Sequence, residues 1–167
     1  GNMAGDLASF PAGTAVLLSP DQVSVGFARA LDPQVRVVEH VNLSTPAKAT
    51  KNAVELEHLR SAMVRDGVAM VRFLHWLQTA VGTGEVTELG AEAKLRDFRA
   101  EGERFVSESF RTISGYRGHG AIVHYAASEE SNARLEAAGI DLVDSGAQYE
   151  DGTTDITRTV ALGEPSE

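Results

Sequence analysis

From Asn52 to Gly82 the chain carries apolar residues at a period near 3.6: Leu56, Leu59, Met63, Met70, Phe73, Leu74, Leu77 and Val81. This pattern predicts one long helix over 53–81. Asn52 with Glu55 resembles a capping box, with Asn in place of the usual Ser or Thr. Gly82 is a candidate C′ residue, and Gly84 follows it. Gly67 inside the pattern weakens it by about 1 kcal/mol relative to Ala. A second helix is expected over 88–100, with Thr87 as N-cap and Gly102 as its stop. Past Gly102 the pattern changes. "RFVSESFRTISGY", "AIVHYAA", "IDLVDSGAQY" and "TTDITRTVAL" read as strands separated by turn residues, with a helical stretch "ESNARLEAAG" before the third. Two helices followed by antiparallel strands make an α+β layout, with the helices packed against one face of a sheet. There is no internal repeat.

The first 46 residues have a different rhythm. "GTAVLLSPDQVSVGFARAL" reads as a strand over 15–18, a turn and a helix, with Ser19 and Asp21 as N-cap candidates around Pro20. "VRVVEHV" reads as a second strand. A lone β-α-β unit cannot bury a parallel pair on both faces. Residues 1–46 are therefore expected to be the tail of a larger preceding domain, and 47–167 a separate one. "LSTPAKATKN" is a polar connector between them. Gly1 and Asn2, ahead of Met3, read as a remnant with no structural part to play.

Composition excludes several function classes. A net charge of −9 argues against a basic nucleic-acid-binding surface. The absence of cysteine removes zinc ribbons, thiol nucleophiles and disulfide frameworks, and fits a reducing, cytoplasmic setting. No apolar run reaches the roughly 18–20 residues a bilayer crossing needs, and the first residues lack a secretory pattern. With 43% hydrophobic residues there is material for a sizeable core.

Among residues that carry chemistry, Asp144 and Asp155 come first. Carboxylates without cysteine or clustered histidine suit a hard ion such as Mg, Ca or Mn. Aspartates at strand ends more often cap turns or face water. Register tests the pair. If Asp151 and Gly152 form a two-residue hairpin turn, Asp155 faces Gln148 and Asp144 faces Thr159. Both then point to one face but lie four positions apart, on the order of 13 Å. That is too far for ions about 3.5–4 Å apart, so a shared site needs a different turn or a bulge between 148 and 154. His124, in "AIVHYAA", is more often a structural residue at such a position; the functional alternative is contact with substrate beside a metal. His119 lies in a glycine-rich loop without the strand-to-helix context of a phosphate cradle. His40, His58 and His75 have no paired ligand spacing, and neither HExxH nor GxSxG occurs. Arg158 beside Asp155 reads as a structural ion-pair or hydrogen-bond donor, or as a residue that orients a carboxylate ligand.

Taken together, "DSGAQYEDGTTDITRT" (144–159) and "SFRTISGYRGHGAIVHYA" (109–126) resemble two signature blocks of the aminopeptidase P group of pita-bread metallopeptidases. The twenty-residue step from His124 to Asp144 and the eleven-residue step to Asp155 match as well. "AKATKNAVELEHLRSAMVRDGVAM" (47–70) is similar to the linker and first helix of that catalytic domain. The resemblance covers at least 47–163 and looks closest to the longer, three-domain members. Residues 1–46 would then be the end of a non-catalytic, creatinase-N-like domain, and 47–167 the first half of the catalytic domain.

The resemblance implies a metal-dependent aminopeptidase that releases the first residue of peptides with proline second. Asp144 and Asp155 match the first two ligands of a dinuclear centre, usually manganese. His124 matches a histidine that binds substrate and stabilises the tetrahedral intermediate. The family's later His and two Glu ligands are absent, since Glu164 and Glu167 fall in a trailing tail. The chain is therefore expected to be an inactive piece of an enzyme, with weak metal affinity. It is also expected to associate with itself through the surface that a second half would cover. A non-catalytic pita-bread module that binds peptides or proteins is the alternative in another class, and an Xaa-Pro dipeptidase the alternative among enzymes.

Overall fold

The computed structural model describes residues 1–164. The chain divides into two compact units, Gly1–Lys51 and Asn52–Glu167. In the first, β1 (Ala15–Leu18) and β2 (Arg36–Glu39) pair in parallel around α2 (Val25–Ala30), the expected β-α-β unit. Ser24 caps α2, accepting from the Phe27 amide at 3.4 Å, in place of the earlier Ser19 or Asp21. Ser19 instead opens a turn, its carbonyl accepting from Gln22 and Val23. Two short helices were not foreseen: α1 (Met3–Ala8) and α3 (Ser44–Ala49) within the polar connector. Asn2 does have a structural part, since its side chain accepts from the Gly5 amide at the start of α1.

The second unit opens with α4 (Ala53–Ala80) and α5 (Glu88–Ala100). Both predicted starts hold. The Asn52–Glu55 capping box is closed in both directions, at 2.8 and 2.9 Å, and Thr87 accepts from Gly90. Gly82, at φ +98°, takes the left-handed turn that ends α4. Met70, Phe73 and Leu77 of α4 and Ala91 and Leu95 of α5 form the core with Tyr116, Val143 and Ile156 from the strands. Phe73, Leu77 and Leu95 are wholly buried, each worth about 1.5–3 kcal/mol of transfer free energy.

Six strands make two three-stranded antiparallel sheets. One contains β3 (Phe105–Glu108), β6 (Ala147–Tyr149) and β7 (Gly152–Thr153). The other contains β4 (Ile113–Tyr116), β5 (Ile140–Ser145) and β8 (Ile156–Ala161), in the order β4-β5-β8. Three expected strands, "RFVSESFRTISGY", "IDLVDSGAQY" and "TTDITRTVAL", are therefore each split between sheets. "IDLVDSGAQY" divides at Gly146, where an added Cβ would stand 2.1 Å from the Thr154 carbonyl oxygen, a closeness only glycine allows.

Two expectations fail here. "AIVHYAA" is not a strand: a 3-10 turn, Arg117–Ala121, follows β4, and Ile122 and Val123 are exposed. A Cβ on Gly115 would meet Gly120 at 2.9 Å, so the glycines let this turn fold back against β4. "ESNARLEAAG" is not helical. Its backbone is drawn out beside the start of α5, where Leu135 donates to Val86 and Glu88 to the Ala133 carbonyl. Burial of Leu135 outweighs the local helical pattern.

Candidate metal centre

Register decides whether Asp144 and Asp155 can act together. β5 pairs β8 with Asp144 opposite Thr157 and Ser145 opposite Ile156, and β6 pairs β7 with Gln148 opposite Thr153 and Tyr149 opposite Gly152. The turn residues are thus Glu150 and Asp151, not Asp151 and Gly152. Asp155 comes opposite Gly146, only two positions from Asp144. Such diagonal neighbours lie about 7–8 Å apart along the backbone, within mutual reach of their side chains. The four-position separation that an Asp151–Gly152 turn implied does not occur.

Three contacts with α4 explain the shift. Asp151 is held by Arg65 and, at 3.1 Å, by Arg104. Gly152 crosses α4 where a Cβ would meet that of Ala62 at 2.9 Å. Thr154 donates to Asp66 at 2.7 Å.

Burial along the strands separates two faces. Asp141, Val143 and Ser145 point into the core, whereas Leu142 and Asp144 are half-buried and Asp155 and Thr157 exposed. On this open face Asp144 accepts from the Thr157 hydroxyl at 2.6 Å through Oδ1. Among the described residues no hydrogen bond or ion pair engages Oδ2 of Asp144 or either oxygen of Asp155. A cleft of about 360 Å³ opens here, lined by Ile113, His119, His124, Leu142, Asp144 and Thr157, among others. His124 and Asp144 therefore share one cleft. His124 is exposed and has φ +56°, a left-handed conformation that non-glycine residues seldom take and that clusters at functional sites.

The other sequence candidates have different partners. Arg158 forms no ion pair among the described residues and donates to the Thr157 carbonyl at 2.7 Å. His119 is bound to Glu88 at 2.8 Å and stacks on Tyr125 with ring centres 4.6 Å apart. Glu167 lies outside the described residues.

Sequence reasoning missed Glu88. It stands in the first turn of α5, fully buried, and takes four donors on one carboxylate. Oε1 accepts from the Tyr116 amide and His119, both at 2.8 Å, and Oε2 from the Tyr125 hydroxyl at 2.9 Å and the Ala133 amide at 3.0 Å. Burial, with Glu88 alongside, pushes the Tyr125 phenol above its usual range, so it remains a donor. Glu88 thus ties down both ends of the loop that carries His124. The only hint in the sequence was an acidic residue just after an N-cap, which is common in any helix.

As a donor set, two carboxylates with unengaged oxygens on an open face fit a hard divalent ion. No group of three or more His, Cys, Asp or Glu suited to hold a metal occurs among the described residues. The remaining positions around an ion would fall to water or to groups beyond these residues.

Comparison with known proteins places the chain in a family. The profile of metallopeptidase family M24 matches residues 57–167, more than half of the chain. The Xaa-Pro aminopeptidase ApepP of Drosophila melanogaster is 40% identical over 142 residues, which are 84% of this chain and 23% of that protein. A probable Xaa-Pro aminopeptidase P of Pyricularia oryzae is 46% identical over 123 residues, 72% of this chain and 20% of the other. The crystal structure of X-prolyl aminopeptidase from Caenorhabditis elegans, described as a cytosolic enzyme with a di-nuclear active site, superposes with a TM-score of 0.81 at 35% identity. That match covers 92% of this chain and 25% of the other. The chain spans about a quarter of the length of these relatives. The α+β arrangement, two helices on antiparallel sheet, is that of the pita-bread aminopeptidases.

Proposed function

Since the chain belongs to metallopeptidase family M24, we propose that it forms part of a metal-dependent aminopeptidase that releases the N-terminal residue from peptides with proline in second position. Asp144 and Asp155 would contribute carboxylates to a pair of divalent ions, manganese foremost. Bound there, such a pair supplies Lewis acidity toward the scissile carbonyl and an attacking water of lowered pKa. Thr157 holds the Asp144 carboxylate through its hydroxyl and leaves the second oxygen available. His124 would face the peptide from across the cleft and donate a hydrogen bond to the carbonyl oxygen as negative charge develops there.

The observation that carries this reading is the shared cleft: His124 and Asp144 line it together, with Asp155 at a two-position offset on the same face. Residues 1–46 would be the end of a non-catalytic, creatinase-N-like domain and 47–167 the first half of the catalytic one. Self-association of the chain through its open face belongs to the same proposal. So does a cytoplasmic location, in keeping with the relative described as cytosolic. Among the described residues no helix is long and apolar enough to cross a membrane.

The 167 residues alone are expected to cleave no Xaa-Pro peptide, because they carry only two carboxylates of the donor set. In the whole protein, release of the first residue from an Xaa-Pro-Xaa peptide with added manganese is the test, and Asp155→Asn should abolish it. Cleavage of Xaa-Pro dipeptides alone would reassign the protein as a dipeptidase. Inertness toward both would leave a non-catalytic peptide-binding module.

A further inference from the structure

We propose that Asp66 and Arg99, a buried pair bridging α4 and α5, are positioning residues that set the register of the β5–β8 hairpin and thereby the spacing of Asp144 and Asp155. Both side chains are fully buried, with Arg99 Nε donating to Asp66 Oδ1 at 2.6 Å and Nη2 to Oδ2 at 3.1 Å. Their remaining contacts all go to one place. Thr154 Oγ1 donates to Asp66 Oδ2 at 2.7 Å and the Tyr149 hydroxyl to Oδ1 at 3.1 Å. Arg99 Nη2 donates to Ser145 Oγ at 3.1 Å and Nη1 to the Gly146 carbonyl at 3.4 Å. Ser145 adjoins Asp144, and Thr154 adjoins Asp155. One ion pair thus grips, from beneath the sheet, the neighbour of each carboxylate above it.

The hairpin needs such a grip because its own turn does not favour this register. Two-residue hairpins prefer a turn with positive φ, for which Asp-Gly is a strong signal, and Asp151–Gly152 offers one. The chain turns instead at Glu150–Asp151, and neither of these residues has positive φ. Turning at Asp151–Gly152 would slide Asp155 opposite Gln148 and carry Thr154 away from its partner Ala147. In the observed register the Thr154 hydroxyl accepts from the Ala147 amide at 2.9 Å while donating to Asp66. A hydrogen-bond network of fixed geometry therefore overrides a local turn preference. A buried ion pair adds little net stability compared with apolar residues of the same volume, so conformational specificity is the better account of this one.

The register claim stands on its own geometry, whereas its consequence for metal rests on the ligand reading above. NMR of the isotopically labelled 167-residue chain tests both. Cross-strand contacts Ser145–Ile156 and Gln148–Thr153 report the register, and Mn2+-induced broadening reports binding at Asp144 and Asp155. Asp66→Asn and the milder Thr154→Val are expected to lose these contacts while the Phe73 and Leu77 signals stay native. Both should need about tenfold more Mn2+ for equal broadening, as loss of a ligand's supporting partners implies. Leu95→Ala, a truncation in the core beneath the strands that leaves the hydrogen bonds of the Asp66–Arg99 pair in place, should keep the contacts and the Mn2+ response. If Asp66→Asn does not fold, Thr154→Val decides alone. Native contacts and unchanged Mn2+ response in every folded variant would overturn the proposal. Lost contacts in the variants, with no broadening near Asp144 and Asp155 in any chain including the unsubstituted one, would uphold the positioning role and sink the ligand reading instead.

Discussion

The sheet built from β4, β5 and β8 has two faces that share one backbone and use the same residue types differently. Toward the core, Glu88 beside β4 and Asp66, where the strands pass into the second sheet, are fully buried, each carboxylate saturated by four donors. On the open side, Asp144 has one partner and Asp155 none among the described residues. A carboxylate whose lone pairs are all engaged has nothing left for an ion, while one with free oxygens has. Saturation thus sorts the acidic residues here into those that hold backbone and those available as ligands. The buried group also sets where the open group stands, through the loop tied by Glu88 and the hairpin gripped by Asp66 and Arg99.

Removing a saturated carboxylate should therefore do the most damage. Glu88→Ala strands two backbone amides, a phenol and an imidazole without their acceptor. Breaking a buried charged network in this way costs about 3–5 kcal/mol. Urea unfolding measures the loss, and proteolysis should find the loop between Tyr116 and Tyr125 newly open. A cost under about 1 kcal/mol would erase the contrast between the two faces.

Asp141 sharpens the comparison, because it is buried on the core side without being saturated. Among the described residues its carboxylate accepts only from Ser114 Oγ, at 3.0 and 3.1 Å. Burial, with Glu88 nearby, raises its pKa from 3.8 to about 6 although Ser114 opposes the shift. The folded state then holds this proton more tightly than the unfolded chain does. Stability from Asp141 is full below about pH 4 and is lost as pH rises through about 6, by on the order of 2–3 kcal/mol. Asp141→Asn, neutral at every pH, should remove that loss. The gap between variant and unsubstituted chain in urea midpoint should widen from pH 4 to pH 7. A constant gap would mean that Asp141 is charged in the fold at all these values.

Much of the helical frame was legible because its signals are local. The Asn52–Glu55 box and the Thr87 cap each lie within a few residues and appear as expected, and the apolar period marks α4, with Met70, Phe73 and Leu77 buried but Leu56 and Met63 exposed. The strands were harder, because what places them is distant in sequence. Asp-Gly pointed to a turn at Asp151–Gly152, and contacts from Arg65, Ala62 and Asp66 of α4 moved it by one residue. "ESNARLEAAG" looked helical until Leu135 found its burial site beside Val86. For the candidate site, the identities of His124, Asp144 and Asp155 came from spacing and family likeness. Their supports, Glu88 and the Asp66–Arg99 pair, could not be read. A carboxylate in a helix looks alike in sequence whether it faces water or four donors.

The smallest effect on stability belongs to the open face, where it is most informative. Asp155→Asn removes a charge that no described residue compensates, and it relieves repulsion from Asp144 two positions away on the neighbouring strand. Its effect on unfolding should stay within about 0.5 kcal/mol, and toward stabilisation if anything. The same substitution should nonetheless abolish Mn2+-induced broadening at Asp144, since one carboxylate leaves nearly every position around an ion to water. A side chain that costs nothing to remove yet governs ion binding is not there to hold the fold. Were Asp155→Asn to destabilise the chain by more than about 1 kcal/mol, Asp155 would have to be a partner in the fold, and the division between saturated and available carboxylates would fail at the residue that matters most to it.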